Sequence, residues 1–268
     1  MSVAAESSST AANRALAILE AIAERSRGLT NSEISRGLQI PKSSASYILR
    51  TLEHRGYVHR DRDNGKYRLG LKVLSLSRGA LSGLDIREVA LPALRQLAER
   101  IHLTVHLAIL DQGEAVYIEK VEAPGFIRMD TWVGRRMAVH STSVGKALVA
   151  YLPETEVEAI AQTRGFKRRT PKTITGRAKL LRELERVRAQ GYAVDDEENN
   201  AGVRCVAAPI FNRRGLVEAA VGATGTTSQI DGTNLSKIAD RVREAARTIA
   251  LQLGYRSASK SPSSARSR

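Results

Sequence analysis

The chain of 268 residues has a formal net charge of +14, 42% hydrophobic residues and a single cysteine, Cys205. This apolar fraction is typical of a globular protein with a packed core, and one cysteine excludes an intramolecular disulfide. The sequence has neither a run of roughly 18 apolar residues nor a signal peptide, which favours a cytoplasmic protein without a membrane partner.

The positive charge is concentrated in the N-terminal third and in the C-terminal tail. Residues 41–78 hold nine Lys or Arg and three Asp or Glu, whereas residues 81–255 hold 25 basic and 21 acidic residues. The tail after Tyr255 adds four more basic residues. Because lysines and arginines displace condensed counterions from phosphates, this uneven distribution favours a nucleic-acid partner over a uniformly basic surface.

The first predicted helix follows residues 1–10, a segment rich in serine and alanine that is expected to be disordered. Asn13 is a suitable N-cap for this helix, and Gly28 lies beyond its end. Apolar residues recur at helical spacing between them, which predicts one buried stripe. The stripe consists of Leu16, Leu19, Ile22 and Ala23.

Two further helices and a hairpin complete the pattern of a winged helix-turn-helix. Thr30 and Glu33 form a capping box, and Gly37 is expected to end this short second helix. Pro41 suits the first turn of a third helix. The segment Asp61-Arg62-Asp63-Asn64-Gly65 then separates two short strands, and Asn-Gly is a strong hairpin signal. The residues of the third helix that are expected to face inward are Ala45, Ile48, Leu49 and Leu52.

The polar face of the third helix and the basic hairpin are predicted to bind DNA. A recognition helix fits a major groove about 12 Å wide, and the capped second helix is expected to cross the phosphate backbone. The alternative is a plain three-helix bundle with solvated charges; the capping box, the proline and the Asn-Gly turn together favour DNA. The predicted contacts are Thr30, Lys42, Ser43, Ser44, Ser46, Tyr47, Arg50, Arg60, Arg62, Lys66 and Arg68.

The rest of the chain mixes helices with strands that read as an antiparallel meander. This mixture predicts a second domain of α/β or α+β type. Helices are predicted over residues 71–81, 85–100, 143–152, 176–190 and 234–253, with another beginning at Pro153. Strands are predicted over residues 105–110, 115–121, 127–133, 203–211 and 217–224.

The segment GLTNSEISRGLQIPKSSASYILRTLEHRGYVHRDRDNGKYRLG resembles the DNA-binding domain of the IclR family of transcription regulators. The resemblance continues through LDIREVALPALRQLAERIHLTVHLAILDQGEAVYIEKVE, VGRRMAVHSTSVGKALVAYLP and GYAVDDEENNAGVRCVAAPIF, and it covers nearly all of residues 13–254. It implies a homodimer or homotetramer of two-domain α+β subunits, each with a linker helix and a GAF-like α/β effector-binding domain. It also implies control of a catabolic operon, with repression favoured over activation.

The domain organisation that follows has five parts. They are a disordered N-terminal segment (1–10), a winged helix-turn-helix domain (11–70), a linker helix (71–83), an effector-binding domain (84–255) and a disordered basic tail (256–268).

The resemblance also implies an effector pocket around the helix that begins at Ser143. Free N–H groups at a helix start suit a carboxylate, although an ordinary helix start is the alternative. Val144 stands where the family often has a small residue, and Gly222 where a hydroxyl residue often points inward. Both differences favour a ligand less polar than a two- or three-carbon keto acid. The implied pocket residues are Met129, Met137, Ser143, Val144, Asp195, Val203, Cys205 and Thr224.

No catalytic residue, metal site or cofactor is predicted. His102 and His106 lie at a strand start, where a spacing of four does not place both on one metal ion. An enzyme acting on a small acid is disfavoured, because the chain lacks a Gly-rich phosphate loop, metal-ligand spacing and a nucleophile–base pair. A DNA-coating protein without a ligand is disfavoured because it needs no large second domain.

Overall fold

The computed structural model describes residues 3–81, 85–124 and 128–255, with backbone alone for residues 3–10 and for Asp85. The tail 256–268, for which disorder was expected, lies outside these residues. The chain divides into two compact units, residues 1–83 and 84–268. No helix in the described part of the chain is long and apolar enough to cross a membrane.

In the first unit, the part of the chain that the structure describes forms four helices and a two-stranded antiparallel hairpin. Its elements are α1 (Val3–Ala23), α2 (Asn31–Leu38), α3 (Lys42–His54), β1 (Val58–Arg60), β2 (Tyr67–Leu69) and α4 (Lys72–Leu81). In the hairpin, Val58 pairs with Leu69 and Arg60 with Tyr67. Tyr67 also pairs with Leu29, so the chain before α2 joins the hairpin edge.

Helix α1 differs from its prediction in start and in orientation. It begins at Val3, so the expected disorder over residues 1–10 is corrected for residues 3–10, whose alanines and glutamate favour helix. The buried stripe centres on Ile18 and Ile22, and Leu16 is 58% exposed. The expected stripe was therefore wrong at Leu16 and at Ala23, which is also exposed, because two overlapping apolar faces are possible and the packing partner selects one.

Helix α3 confirms its predicted inward face, because all four expected residues are buried. Helix α2 continues past Gly37 to Leu38, and Gln39 ends it in the left-handed conformation with φ of 54°. The expected stop at Gly37 was wrong, since a left-handed residue after the last turn caps a helix whether or not glycine supplies it.

The described residues of the second unit form five helices and six strands. Its elements are α5 (Asp85–Ile101), β3 (Thr104–Asp111), β4 (Glu114–Val121), β5 (Arg136–Ala138), α6 (Ser143–Val149), α7 (Glu154–Arg164), α8 (Arg177–Gln190), β6 (Ala193–Asp196), β7 (Val203–Phe211), β8 (Val217–Thr226) and α9 (Leu235–Gln252).

One antiparallel sheet with the order β5-β4-β3-β8-β7-β6 organises the second unit. Helices α5 and α9 pack against β3 and β7, and the short α6 contacts β7 and β8. The strand expected over residues 127–133 is wrong for its described residues 128–133, and β5 lies further along the chain. Strand β6 was not predicted, because its four residues end in acidic side chains that are typical of a solvated turn.

Candidate functional site

Hydrogen bonds fix both ends of α2, and those at its end also hold the turn that leads to α3. At the start, the Thr30 N–H and hydroxyl both donate to Glu33 Oε2, at 2.7 and 2.8 Å, and the Glu33 N–H donates to Thr30 Oγ1 at 3.2 Å. At the end, the Ser35 hydroxyl donates to the Ile40 carbonyl at 2.7 Å. The predicted capping box is confirmed. Because this box occupies both donors of Thr30, its side chain holds the helix start rather than pointing outward.

Helix α3 separates a buried apolar face from an exposed polar face. Lys42, Ser43 and Arg50 are exposed, and Tyr47 is 69% exposed. Residues 43, 47 and 50 follow the spacing of one helical face. Ser44 and Ser46 are half-buried at its margins. An exposed tyrosine is unusual because its ring is largely apolar, so this surface has the character of a contact surface.

The loop that joins β1 to β2 is organised by Asp61. Its carboxylate accepts hydrogen bonds from the Asp63 N–H at 3.0 Å and from Asn64 Nδ2 at 2.8 Å, and these bonds hold the pKa of Asp61 below its usual value. Gly65 has a φ of 67°, which favours glycine. The loop presents Arg62, while Arg60 lies over the Tyr67 ring at 5.7 Å. Arg68 is exposed and Lys66 is half-buried.

A cavity of about 310 Å³ lies in the second unit beside the start of α6. All eight residues expected at the effector pocket line it, although they come from six separate stretches of chain. The residues that sequence reasoning missed are mostly polar. They are Tyr117, Asp130, Thr131, Arg135, Thr142, Asn199 and Asn200.

The start of α6 faces this cavity and is capped by Thr142, not by Ser143. Thr142 Oγ1 accepts from the Gly145 N–H at 3.2 Å and donates to the Ala138 carbonyl at 2.7 Å. The first N–H groups of a helix have no acceptor within the helix, so those of Ser143 and Val144 are available to solvent or to a ligand. Gly145 is required here, because a Cβ would lie 2.4 Å from Val139 Cα.

Val144, which lines the cavity, faces Gly222 on β8. A Cβ at Gly222 would lie only 2.7 Å from Val144 Cγ1. The two departures from the common family pattern therefore compensate each other in volume. The larger side chain on α6 fills the space that the missing side chain on β8 leaves. Gly222 itself does not line the cavity.

The strap of residues 129–131 closes one side of the cavity and is held by two side chains of the sheet. Lys120 Nζ donates to the carbonyls of Met129 and Thr131, at 2.9 and 2.8 Å. His106 Nε2 lies 2.7 Å from Thr131 Oγ1. Burial lowers the pKa of His106 to about 3, so the ring is neutral. His106 therefore supports the strap as a neutral ring.

Arg135 is the cation of the cavity lining. Its guanidinium donates to the Asp130 carbonyl and stacks over the Trp132 ring, with 4.7 Å from Cζ to the ring centroid. Its backbone carbonyl accepts from the Tyr117 N–H at 3.1 Å, which ties it to β4. Its neighbour Arg136 instead forms salt bridges with Asp111 and Glu114, away from the cavity. No local pattern in the sequence distinguishes these two adjacent arginines.

Asp195 is the buried carboxyl group of the cavity and is 2% exposed. Its Oδ1 accepts from the N–H groups of Glu198 and Asn199, at 2.7 and 3.3 Å. Burial, reinforced by the nearby Glu198 carboxylate, raises its pKa to about 7. Opposite it on β7 lies Cys205, whose pKa burial also raises, so the thiol stays protonated.

Behind Asp195, the fully buried Lys146 forms an ion cluster. Its Nζ lies 2.6 Å from Glu198 Oε1 and 3.3 Å from Glu183 Oε1, and it donates to the Val194 carbonyl. The second oxygen of Glu183 lies 3.1 Å from Arg186. This cluster fastens α6 to α8 and to the turn after β6. No group of His, Cys, Asp and Glu suited to a metal ion occurs among the described residues.

Comparison with known proteins gives matches over both units. The family model described as the IclR helix-turn-helix domain matches residues 11–62, and the one described as the C-terminal domain of bacterial transcriptional regulator IclR matches residues 78–251. The transcriptional regulator XynR of Escherichia coli is 38% identical over 90% of this chain and 96% of its own. The transcriptional repressor AllR of Salmonella typhi is 34% identical over 94% and 93%.

Solved structures of IclR regulators also match this chain. The IclR structure from Thermotoga maritima matches with a TM-score of 0.75 and 34% identity, over 91% of this chain and 98% of that one. An IclR regulator from Alicyclobacillus acidocaldarius matches with a TM-score of 0.78 and 28% identity, over 91% and 99%. The predicted fold class is confirmed, and the relatives are regulators rather than enzymes, as expected.

Proposed function

Given that the chain belongs to the IclR family of DNA-binding transcription regulators, we propose that a small organic acid bound in the cavity of the second unit controls its affinity for an operator. The observation that carries this proposal is the cavity itself, in which an arginine and a buried carboxyl group face apolar walls. Its volume of about 310 Å³ lies at the lower end of the range of roughly 300–1,000 Å³ for ligand pockets.

The DNA contacts are assigned to two surfaces of the first unit. The exposed face of α3 around Tyr47 and Arg50 reads base edges in the major groove, where arginine pairs with guanine. The β1–β2 hairpin, with Arg62 in its loop and Arg68 on β2, contacts phosphate or the minor groove. Thr30 positions α2 rather than touching DNA through its side chain. Because its DNA partner is chromosomal, the protein acts in the cytoplasm.

A symmetric dimer, or a tetramer built from such dimers, is the proposed assembly. Two recognition helices reach successive major grooves when the half-sites lie about 34–36 Å apart. Helix α4 has no buried residue among those described, and Leu74 and Leu76 are 66% and 56% exposed. Leu71, just before the helix, is 82% exposed. Large apolar side chains exposed together are typical of an interface, and we assign this one to a second copy of the chain.

The ligand is proposed to be an anion with one apolar part and one polar part. Arg135 and the N–H groups of Ser143 and Val144 suit its carboxylate. Asn199, Asn200 and Thr224 suit hydroxyl or keto groups, while Met129, Met137 and Val203 cover its carbon chain. A water molecule occupies about 30 Å³ in the liquid, so the cavity has room for more than a two- or three-carbon acid.

Control is proposed to work by population shift. The ligand favours one arrangement of the subunits. The spacing of the two recognition helices then changes, and the affinity for the operator changes with it. The effect is limited by the difference in the ligand's affinity for the two arrangements. Repression of a catabolic operon, relieved by an acid from that pathway, is the favoured mode, since AllR relatives are described as repressors.

Replacing Arg135 is expected to weaken acid binding without unfolding the protein. Arg135→Ala removes the one cation that lines the cavity among the described residues, and a charge-assisted pair of this kind contributes about 1.5–3 kcal/mol. The dissociation constant of a bound acid, measured by isothermal titration calorimetry, should rise about tenfold or more. Arg136→Ala is the matched control, because its partners lie outside the cavity; equal losses in both variants would contradict the assignment.

A thermal-shift screen of the full chain tests the proposal. The library contains keto acids, sugar acids and aromatic acids, and a saturable rise in melting temperature identifies the ligand class. A genuine hit loses its effect in Arg135→Ala and keeps it in Arg136→Ala. A folded protein that responds to none of these acids would favour a regulator without a ligand.

A further inference from the structure

The carboxyl group of Asp195 lies in a part of the second unit where charges do not balance. Lys146 and Arg186 together supply two positive charges, and Glu183 and Glu198 supply two negative charges. Asp195 is the fifth group, and no cation lies within ion-pair distance of it among the described residues. A buried carboxylate without a partner is strongly disfavoured, so a proton is the simplest compensation.

The hydrogen bonds of Asp195 are divided unequally between its two oxygens. Oδ1 accepts two backbone N–H groups from the turn after β6, at 2.7 and 3.3 Å. Within the described structure Oδ2 has no hydrogen-bond partner, and the residue lines the cavity. A proton on Oδ2 would therefore be available as a donor to whatever fills the cavity.

The groups that face Asp195 come from every element around it, and they do not supply a compensating charge. The thiol of Cys205 and the phenol of Tyr117 are neutral, because burial raises the pKa of each. Lys146 is already committed to two glutamates, and Arg135 donates to a backbone carbonyl. The full set comprises Tyr117 on β4, Lys146 on α6, Glu183 on α8, Glu198 and Asn199 in the turn, Cys205 on β7, and Asp130 and Arg135 in the cavity lining.

We propose that Asp195 carries a proton in the ligand-free protein below neutral pH and donates a hydrogen bond from Oδ2 to an anionic ligand. Near neutral pH, where only part of the molecules hold this proton, acid binding therefore takes up a proton. The ligand part of this inference rests on the proposed function, whereas the protonation of Asp195 does not. An ionised Asp195 would repel an anion in the same cavity. A protonated one both removes the repulsion and adds a donor, so acid binding is stronger at low pH.

The first test concerns the ligand-free full chain. Infrared spectra at pH 6 should contain the carbonyl band of a buried protonated carboxyl group, and Asp195→Asn should lack it. Asp196→Asn is the control: burial raises the pKa of Asp196, but bonds from Arg204 and Lys172 outweigh this and lower it, so it is ionised. Presence of the same band in Asp195→Asn, or its absence from the wild type, would overturn the inference.

Denaturation across pH gives an independent measure of the same proton. Asp195 titrates near its ordinary pKa of 3.8 when unfolded and near 7 when folded. For this group only the unfolded chain gains from ionisation between these values, so the contribution of Asp195 to stability falls as pH rises from about 4 to about 7. The urea midpoint of Asp195→Asn should therefore rise relative to the wild type over this window. A difference in urea midpoint between the variant and the wild type that does not change with pH would contradict the protonation of Asp195.

The second test measures binding, with two probes: phenylpyruvate, a keto acid with an apolar part, and gluconate, a sugar acid. Titration calorimetry at pH 7 in phosphate and in Tris should give net uptake of about half a proton, because the group is about half protonated there. Affinity should be about tenfold weaker at pH 8 than at pH 6, and Asp195→Asn should abolish that dependence. Binding without pH dependence would overturn the coupling. If neither probe binds while the infrared band is present, these two acids are not ligands of the cavity, and the protonation of Asp195 is still supported.

Discussion

Lys146→Met should destabilise the second unit more than any other single change considered for this protein. The substitution removes a fully buried ammonium group and leaves Glu198 buried without its partner at 2.6 Å. Breaking a buried pair on one side costs about 3–5 kcal/mol. Glu198 also has one buried oxygen with no hydrogen-bond partner, so the turn has no spare donor to compensate. Urea denaturation, followed by circular dichroism, measures the loss.

Two variants make this result specific. Lys146→Met combined with Glu198→Gln removes the uncompensated charge and should recover part of the lost stability. Lys172→Met removes a lysine that pairs with Asp196 and Glu197 in the same turn but is half exposed, and little change is expected. If Lys146→Met were as mild as Lys172→Met, the buried cluster would not hold α6 against the turn after β6.

Arg50→Ala and Tyr47→Ala should reduce operator affinity strongly while leaving the fold intact. Both side chains are exposed on α3, so neither supports the core of the first unit. A good contact with a base edge provides about 1–3 kcal/mol of discrimination, which corresponds to about a fivefold to 150-fold loss. Fluorescence anisotropy with a duplex obtained by in vitro selection measures the dissociation constant.

Lys179→Ala on α8 is the matched control, since it removes one exposed positive charge of the second unit. A base-reading arginine also affects specificity, so Arg50→Ala should lower the ratio of specific to non-specific binding, whereas loss of a phosphate contact weakens both alike. Equal losses for Arg50→Ala and Lys179→Ala would contradict the assignment of α3 as the recognition helix.

Local signals in the sequence were sufficient where one residue type satisfies one backbone requirement. The capping box of Thr30 and the inward face of α3 were correct, because hydroxyl capping and helical period act within a few residues. The face of α1 was wrong at Leu16, because adjacent leucines and isoleucines allow two stripes and only tertiary packing selects between them.

The cavity shows the same division between local and long-range information. Its eight expected residues came from the family resemblance, and the structure brings them together. Arg135 was missed, because its direction depends on the strap around residue 130 and on Trp132. The proton on Asp195 was also beyond the sequence: the run of four acids from Asp195 to Glu198 has the composition of a solvated turn, and only burial against Lys146 distinguishes its members.

The measurement that tests the central claim most directly is the affinity of the full chain for its selected duplex with and without an acid identified in the thermal-shift screen. Allosteric coupling of about 1–3 kcal/mol is typical, so the acid should change the dissociation constant at least about fivefold in the wild type. At the same concentration, the acid should change the dissociation constant of the Arg135→Ala variant for the duplex far less. An acid that binds the cavity and leaves DNA affinity unchanged would contradict the account.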